Sequence, residues 1–280
     1  MDNKKIEPKT QASRRKAGHD VLATLTGTND PEKTANAMEA RHGALGSFAV
    51  DHVLGNLWSR PQLSRRDRSL IVVTFLSTIG ADEELSAHIE GAIRHGLSRE
   101  EVEEIVNQVA GYAGFPMAMQ AARLVAKAWC DADDIDRLPA RPPAKPLDDE
   151  ARWANATDVM GTLFAGRAAS DPVEARVNIL DQLGGVGEMA FDFGFGELWS
   201  RDQLSRRDRS MVTVAILAML SRLEELAIHV PAALNHGCTE SEIEEIMVQL
   251  TVYGGFPRAV EGIRAARTAF SKRSKTAKKT

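Results

Sequence analysis

Two stretches of the chain, residues 70–79 and 211–220, are apolar at nearly every position. Each is preceded by a Ser-x-x-Asp spacing, Ser64 with Asp67 and Ser205 with Asp208, that predicts a helix amino terminus. A helix apolar all round is buried, either in a domain core or between subunits. A second helix is expected over residues 83–95, with Gly96 as its stop, and its counterpart ends at Gly237. Ser98 with Glu101, and Thr239 with Glu242, open another helix, whose apolar face in the first instance is Val102, Ile105, Val106 and Val109. Gly114-Phe115-Pro116 then breaks the chain, and Pro116 suits the first turn of a final helix. The alternation of a strand is found nowhere, so the pattern predicts an all-α protein.

These elements come in duplicate. The segment WSRPQLSRRDRS from Trp58 returns as WSRDQLSRRDRS from Trp199, an offset of 141 residues that holds from Asp51/Asp192 to Pro116/Pro257 with 32 identities in 66 pairs. Asp30-Pro31 and Asp171-Pro172 keep that offset, whereas Asp20-Val21 and Asp158-Val159 differ by 138, so the second copy carries a small insertion between those points. The expectation is two similar helical domains, residues 17–130 and 151–270, of about six helices each. A linker over residues 131–150 is rich in Pro and charge, and residues 1–16 and 271–280 are read as basic flexible tails.

Composition narrows the class. Lys and Arg number 35 against 39 Asp and Glu, a formal charge of −4 in 280 residues, which does not suggest a nucleic-acid binder. The charge is unevenly spread: residues 1–16 carry +4 and residues 271–280 carry +5, leaving −13 on the body. An anionic substrate would therefore need a local basic pocket. No apolar run is long enough to span a bilayer, and the amino terminus lacks the apolar segment of a secretory signal. Two cysteines, Cys130 and Cys238, exclude a disulfide scaffold and point to a reducing, cytoplasmic location.

Of seven histidines, two pairs stay in register: His88/His229 and His95/His236. Glu84 and Glu225 lie four residues before the first of each pair, on the same helix face. His95 and His236 fall on that stripe as well, although Pro231 could bend the second helix. A Glu/His pair on a helix is more often a surface or capping pair than a site, and the repeat weighs only modestly against that. Glu84, His88 and His95 stretch over roughly 16 Å of helix, too far for one metal ion, and Glu84 with His88 are too few ligands to hold one. Arg68 and Arg209 stand out among the repeated arginines as cations able to hold a carboxylate by two parallel hydrogen bonds. Arg65 and Arg66 read as a solvated helix start with salt bridges. The only two tyrosines, Tyr112 and Tyr253, are in register too and read equally as core residues or pocket donors.

In the second copy these residues stand in FGELWSRDQLSRRDRSMVTVAILAML, LEELAIHVPAALNHG and a TxxEIEEIMVQLTVYGGFP segment. Together they resemble the carboxymuconolactone decarboxylase family over about two-thirds of each copy. The resemblance implies two tandem alkylhydroperoxidase D-like helical domains. Relatives of the alkylhydroperoxidase D type carry a CxxC pair before the histidine. Here those positions are Ala81 and Glu84, and Arg222 and Glu225, so the dithiol peroxidase chemistry is not implied. The decarboxylase branch has a carboxylate at the second position, as here. It implies a cofactor-independent carboxy-lyase without metal, acting on a small carboxylated lactone such as 4-carboxymuconolactone in aromatic catabolism.

On that resemblance His88, His229, Glu84 and Glu225 are the catalytic candidates, the imidazoles as general acid or oxyanion donor and the carboxylates orienting them or relaying the proton. Arg68, Arg209, Tyr112, Tyr253, Glu197, His95 and His236 are the substrate-binding candidates. Glu197 becomes Asn56 in the first copy, which suggests unequal sites with the second the better catalyst. The family also implies an oligomer, a homotrimer of fused pairs mimicking a hexamer, and neither nucleic acid nor membrane is implied as a partner. The competing expectations are a lactone hydrolase, cyclase or isomerase of another pathway, and a non-catalytic trimeric scaffold or small-acid binding protein.

Overall fold

The computed structural model describes residues 9–129, 143–165 and 168–277, so most of the Pro-rich linker and both extreme ends lie outside the described residues. The first copy contains α1 (Gln11–Thr26), α2 (Pro31–His42), α3 (Ala44–Phe48), α4 (Arg65–Ile79), α5 (Asp82–Arg94), α6 (Arg99–Tyr112) and α7 (Phe115–Ala128). The second contains α8 (Asp149–Leu163), α9 (Pro172–Leu183), α10 (Gly185–Met189), α11 (Arg206–Met219), α12 (Leu223–Asn235), α13 (Glu240–Tyr253) and α14 (Phe256–Ala277). Helices α3 and α10 run straight into π-helical segments, Ala49–Leu57 and Ala190–Leu198. The described residues hold no strand, and none of their helices is long and apolar enough to cross a membrane. The all-α expectation holds, and the described residues hold seven α-helices per copy where about six were expected.

Local chemistry explains the boundaries. Ser64 and Ser205 accept from the backbone N–H of Asp67 and Asp208, and Ser98 and Thr239 form full capping boxes. Gly80 ends α4 in the left-handed region at φ 69°, a conformation without cost for glycine. In the second copy Ser221 occupies that place at φ 54°. Replacing Ser221 with Gly should therefore raise stability by about 1 kcal/mol, read from urea unfolding. Residues 11–16 and 271–277, expected as flexible tail, are helical, because α1 and α14 extend through them. The linker likewise ends earlier than expected, as α8 starts at Asp149.

Helix α1 lies along the first π-helical segment and α8 along the second. A Cβ on Gly55 would stand 2.2 Å from the carbonyl oxygen of Arg14, and one on Gly196 2.7 Å from that of Arg152. The pairs Arg14/Arg152 and Thr24/Thr162 keep the 138-residue offset, so the insertion falls between α8 and α9, as the sequence indicated.

The two copies do not form separate cores. Helices α4 and α11, buried from Asp67 to Thr78 and from Asp208 to Met219, pack against each other at the centre. Helix α11 also contacts α6 and α4 contacts α13, so one continuous apolar cluster draws on both copies. This pseudo-twofold exchange positions the candidate site.

Candidate functional site

The site is built twice, and each time from both copies. On α5, Leu85, Ile89 and Ala92 point into the core and carry half-buried His88 to the edge of the same face. Trp58, at the end of the first π-helical segment, stacks on the His88 ring at 5.9 Å with 17° between planes. Tyr253, from α13 of the other copy, meets the same imidazole edge-to-face at 5.9 Å. Its hydroxyl accepts from Trp58 Nε1 at 3.1 Å. The second site repeats this with the copies exchanged. Trp199 stacks on His229 at 6.3 Å, Tyr112 from α6 meets that ring at 5.5 Å, and the Tyr112 hydroxyl accepts from Trp199 Nε1 at 2.8 Å.

This enclosure sets the ionisation. Burial, aided by nearby His95 and His236, lowers His88 and His229 to about 4, so both rings are neutral at neutral pH. Burial likewise pushes Tyr112 up to about 12 and moves Tyr253 in the same direction. Of the two roles expected for it, a neutral imidazole suits the oxyanion donor, since it donates one hydrogen bond, and not the protonated general acid. The sign for stability follows. Folding favours the uncharged rings, so their contribution is complete above about pH 6.5 and is lost as pH falls toward 4. Urea unfolding at stepped pH should show stability falling across that window, and less steeply in the His88→Asn and His229→Asn variants.

His95 and His236 have a different role from the expected one. Ser69 Oγ and Thr24 Oγ1 bond the two nitrogens of His95 at 2.8 and 3.0 Å, and Ser210 and Thr162 repeat this at His236. With both nitrogens occupied, these rings brace α1 and α8 against the core and are not free for substrate. Pro231 lies inside α12 without disturbing this, since the helix continues to Asn235.

Arg68 and Arg209 also depart from expectation. Both are fully buried, at 0% exposure. Arg68 donates to Glu245 at 2.8 Å, to Gln249 at 3.2 Å and to the Arg60 carbonyl at 2.8 Å. Arg209 makes the equivalent bonds to Glu104, Gln108 and the Arg201 carbonyl at 2.9, 3.0 and 2.7 Å. Arg60 and Arg201 close on the same two glutamates, at 2.7 and 2.8 Å. Each buried glutamate thus holds two arginines of the other copy, and Arg68 and Arg209 serve the interface rather than a substrate carboxylate. Arg66, expected at a solvated helix start with salt bridges, pairs across the copies with Asp208 at 2.8 Å, and Arg207 pairs with Asp67 at 3.1 Å.

Glu84 and Glu225 sit exposed in the first turns of α5 and α12. Among the described residues neither bonds an imidazole, and the tryptophans are what stack on the rings. Glu197 meets Arg152 at 3.4 Å and lines a cavity of about 800 Å³ together with Asn107 and Phe115 of the first copy and Asn155 and Ser200 of the second. His229 is not among the lining residues. The counterpart of Glu197, Asn56, instead bonds His52 at 3.3 Å. Among the described residues no three His, Cys, Asp or Glu side chains gather as a metal site.

The family comparison matches each copy separately. The carboxymuconolactone decarboxylase family matches at residues 45–128 and again at 185–268. The chain belongs to the carboxymuconolactone decarboxylase family. It is 30% identical over 124 residues to a 4-carboxymuconolactone decarboxylase of Acinetobacter baylyi, a match covering 44% of this chain and 90% of that protein. It is 33% identical over 76 residues to a nitrosuccinic acid decarboxylase of Metarhizium robertsii, covering 27% of this chain and 53% of that protein. Both family matches contain the His–Trp pair of one site and the tyrosine of the other. Pairing of the two units is therefore required to complete either site.

Sequence reasoning missed Trp58 and Trp199 as ring supports, and Glu104 and Glu245 as buried anchors. The tryptophans were in register and could have been singled out. The glutamates gave less warning, since they are neighbours of Ile105 and Ile246 on otherwise ordinary amphipathic helices.

Proposed function

We propose that this chain is a carboxy-lyase acting on a small carboxylated lactone, in the manner of the 4-carboxymuconolactone decarboxylase it is similar to. The observation that carries this reading is the neutral, half-buried imidazole held between a tryptophan face and a tyrosine edge, once per copy. Breaking the carbon–carboxylate bond releases carbon dioxide and leaves its electron pair to spread into the lactone carbonyl as a dienolate. A neutral imidazole N–H and a tyrosine O–H are fixed donors suited to that developing oxyanion. The chemistry named in the second relative is compatible, since loss of carbon dioxide beside a nitro group also moves the electron pair onto oxygen. The carbon is then protonated from solvent by way of Glu84 or Glu225, one helical turn from the imidazole. The test is to incubate the purified protein with 4-carboxymuconolactone and follow carbon dioxide release. An intact protein that releases none overturns the lactone reading.

A homotrimer goes with this function. Leu45 and Val186, Phe48 and Met189, Phe115 and Phe256, and Met119 and Val260 are exposed apolar pairs at the 141-residue offset. Apolar surface repeated on both halves suits self-association about a common axis. Analytical ultracentrifugation should give three times the chain mass of 30.5 kDa.

A further inference from the structure

Two fully buried amide side chains lie at the junction of the copies, Gln108 on α6 and Gln249 on α13. Each is the middle member of a stripe of three. Glu104, Gln108 and Tyr112 are four residues apart on α6, and Glu245, Gln249 and Tyr253 repeat the spacing on α13. That spacing puts the three side chains on one helix face, with the tyrosine about 6 Å beyond the glutamine along the axis. The face that meets the arginines of the other copy is thus the face that meets its imidazole.

Arg209 ties the parts of the second site together. Its Nη1 donates to the side-chain oxygen of Gln108 at 3.0 Å, and its Nη2 to Glu104 at 2.9 Å and to the Arg201 carbonyl at 2.7 Å. Arg201 lies two residues after Trp199, and Trp199 donates to the Tyr112 hydroxyl at 2.8 Å. These connections close a ring that runs from Trp199 through Tyr112, Gln108, Arg209 and Arg201 back to Trp199. Trp199 and Tyr112 are the two side chains that hold His229. The Gln108 amide nitrogen adds a second tie to α11, donating to Thr213 Oγ1 at 3.2 Å.

The first site has the same ring with the copies exchanged. Arg68 donates to the Gln249 oxygen at 3.2 Å and to the Arg60 carbonyl at 2.8 Å, and Trp58 donates to Tyr253 at 3.1 Å. Here the Gln249 nitrogen makes the second tie to the Arg68 carbonyl, at 2.8 Å. A hydrogen bond adds only modest net stability, but its distance and angle are narrowly defined. Two such bonds one helical turn before the tyrosine fix the rotation and the axial placement of the helix that carries it.

We infer that Gln108 is a positioning residue that sets Tyr112 against His229 across the copy boundary, and that Gln249 does the same for Tyr253 and His88. The kinetic half of this inference rests on the lyase reading, whereas the placement does not. Gln108→Met keeps the length of the side chain and removes both bonds. The chain has only two tyrosines, so protein carrying ¹³Cζ-tyrosine gives two resonances, and a Tyr253→Phe variant assigns them. Gln108→Met should move the Tyr112 resonance and leave that of Tyr253 in place, and Gln249→Met should do the reverse. Gln108→Glu, which keeps an acceptor for Arg209, should hold Tyr112 near its parent position. With 4-carboxymuconolactone, Gln108→Met should lower kcat about five- to tenfold at little cost in KM, the effect of a lost hydrogen bond. It should cost nothing further in a His229→Asn protein and keep its full effect in a His88→Asn protein. A Tyr112 resonance that ignores Gln108→Met, or a Tyr253 resonance that moves as far, overturns the placement. A Glu variant that behaves like the Met variant overturns the part given to the Arg209 bond, and a full Gln108→Met loss on top of His229→Asn overturns the link to that imidazole. If the parent protein turns over no lactone, the lyase reading fails while the two resonances still decide the role of Gln108.

Discussion

Substituting His229 with Asn should lower kcat toward a carboxylated lactone by about a hundredfold, the range expected when a fixed donor to a developing oxyanion is removed. The imidazole is neutral and fixed, stacked on Trp199 and crossed by Tyr112, so asparagine loses both its placement and its donor. His88→Asn should cost only a few-fold, because the first copy carries Asn56 where the second has Glu197. Steady-state kinetics of the two variants decide the matter, and equal large losses would end the idea of unequal sites. The pH profile adds a second check. With the ring held neutral down to about pH 4, the acid limb of kcat should lie well below the ordinary histidine range.

Removing the carboxylate of Glu104 should destabilise the fold by about 3–5 kcal/mol. Glu104 is 1% exposed and is the partner of Arg209, at 0% exposure, and of Arg201. Glu104→Ala leaves buried positive charge without compensation, and that, more than the loss of one favourable contact, sets the size of the effect. Glu245→Ala should do the same through Arg68 and Arg60. Glu84→Ala, on an exposed first turn, should fall within about 0.5 kcal/mol of the parent and provides the comparison. Guanidinium unfolding of the three variants measures all of this. Because each glutamate joins one copy to the other, the losses should appear in a single cooperative transition rather than in the unfolding of one half.

The two predictions divide residues that look alike in the sequence. Arg68 and Arg209 carry the charge that a substrate carboxylate would need, in an otherwise acidic body, and both were natural candidates for that role. Their burial against Glu245 and Glu104 assigns them to the interface. His95 and His236 share a helix stripe with His88 and His229, yet hydroxyl groups from α1, α4, α8 and α11 occupy all four of their ring nitrogens. Periodicity tells which residues share a face. Whether that face meets a guanidinium, a hydroxyl or an aromatic ring depends on a partner at a sequence distance of a hundred residues or more.

Read alone, the sequence identified the all-α class, the caps of α4, α6, α11 and α13, the duplication with its insertion, the family resemblance, and the in-register histidines and tyrosines. The helices and caps follow from local chemistry, a Ser or Thr three residues before an acid, a glycine after the last turn and an apolar spacing of three and four, and the rest from comparing one half of the chain with the other and with a family pattern. Packing of the tertiary structure was needed to show that the copies share one core and that each imidazole meets the tyrosine of the other copy. The all-round burial of α4 and α11 required a large apolar partner without naming it, and each proved to be the partner of the other. Packing them together brings α6 and α13 across the pseudo-twofold axis, and with them Tyr112 and Tyr253. The exchange is a consequence of where apolar area can be buried, which no stretch of sequence records.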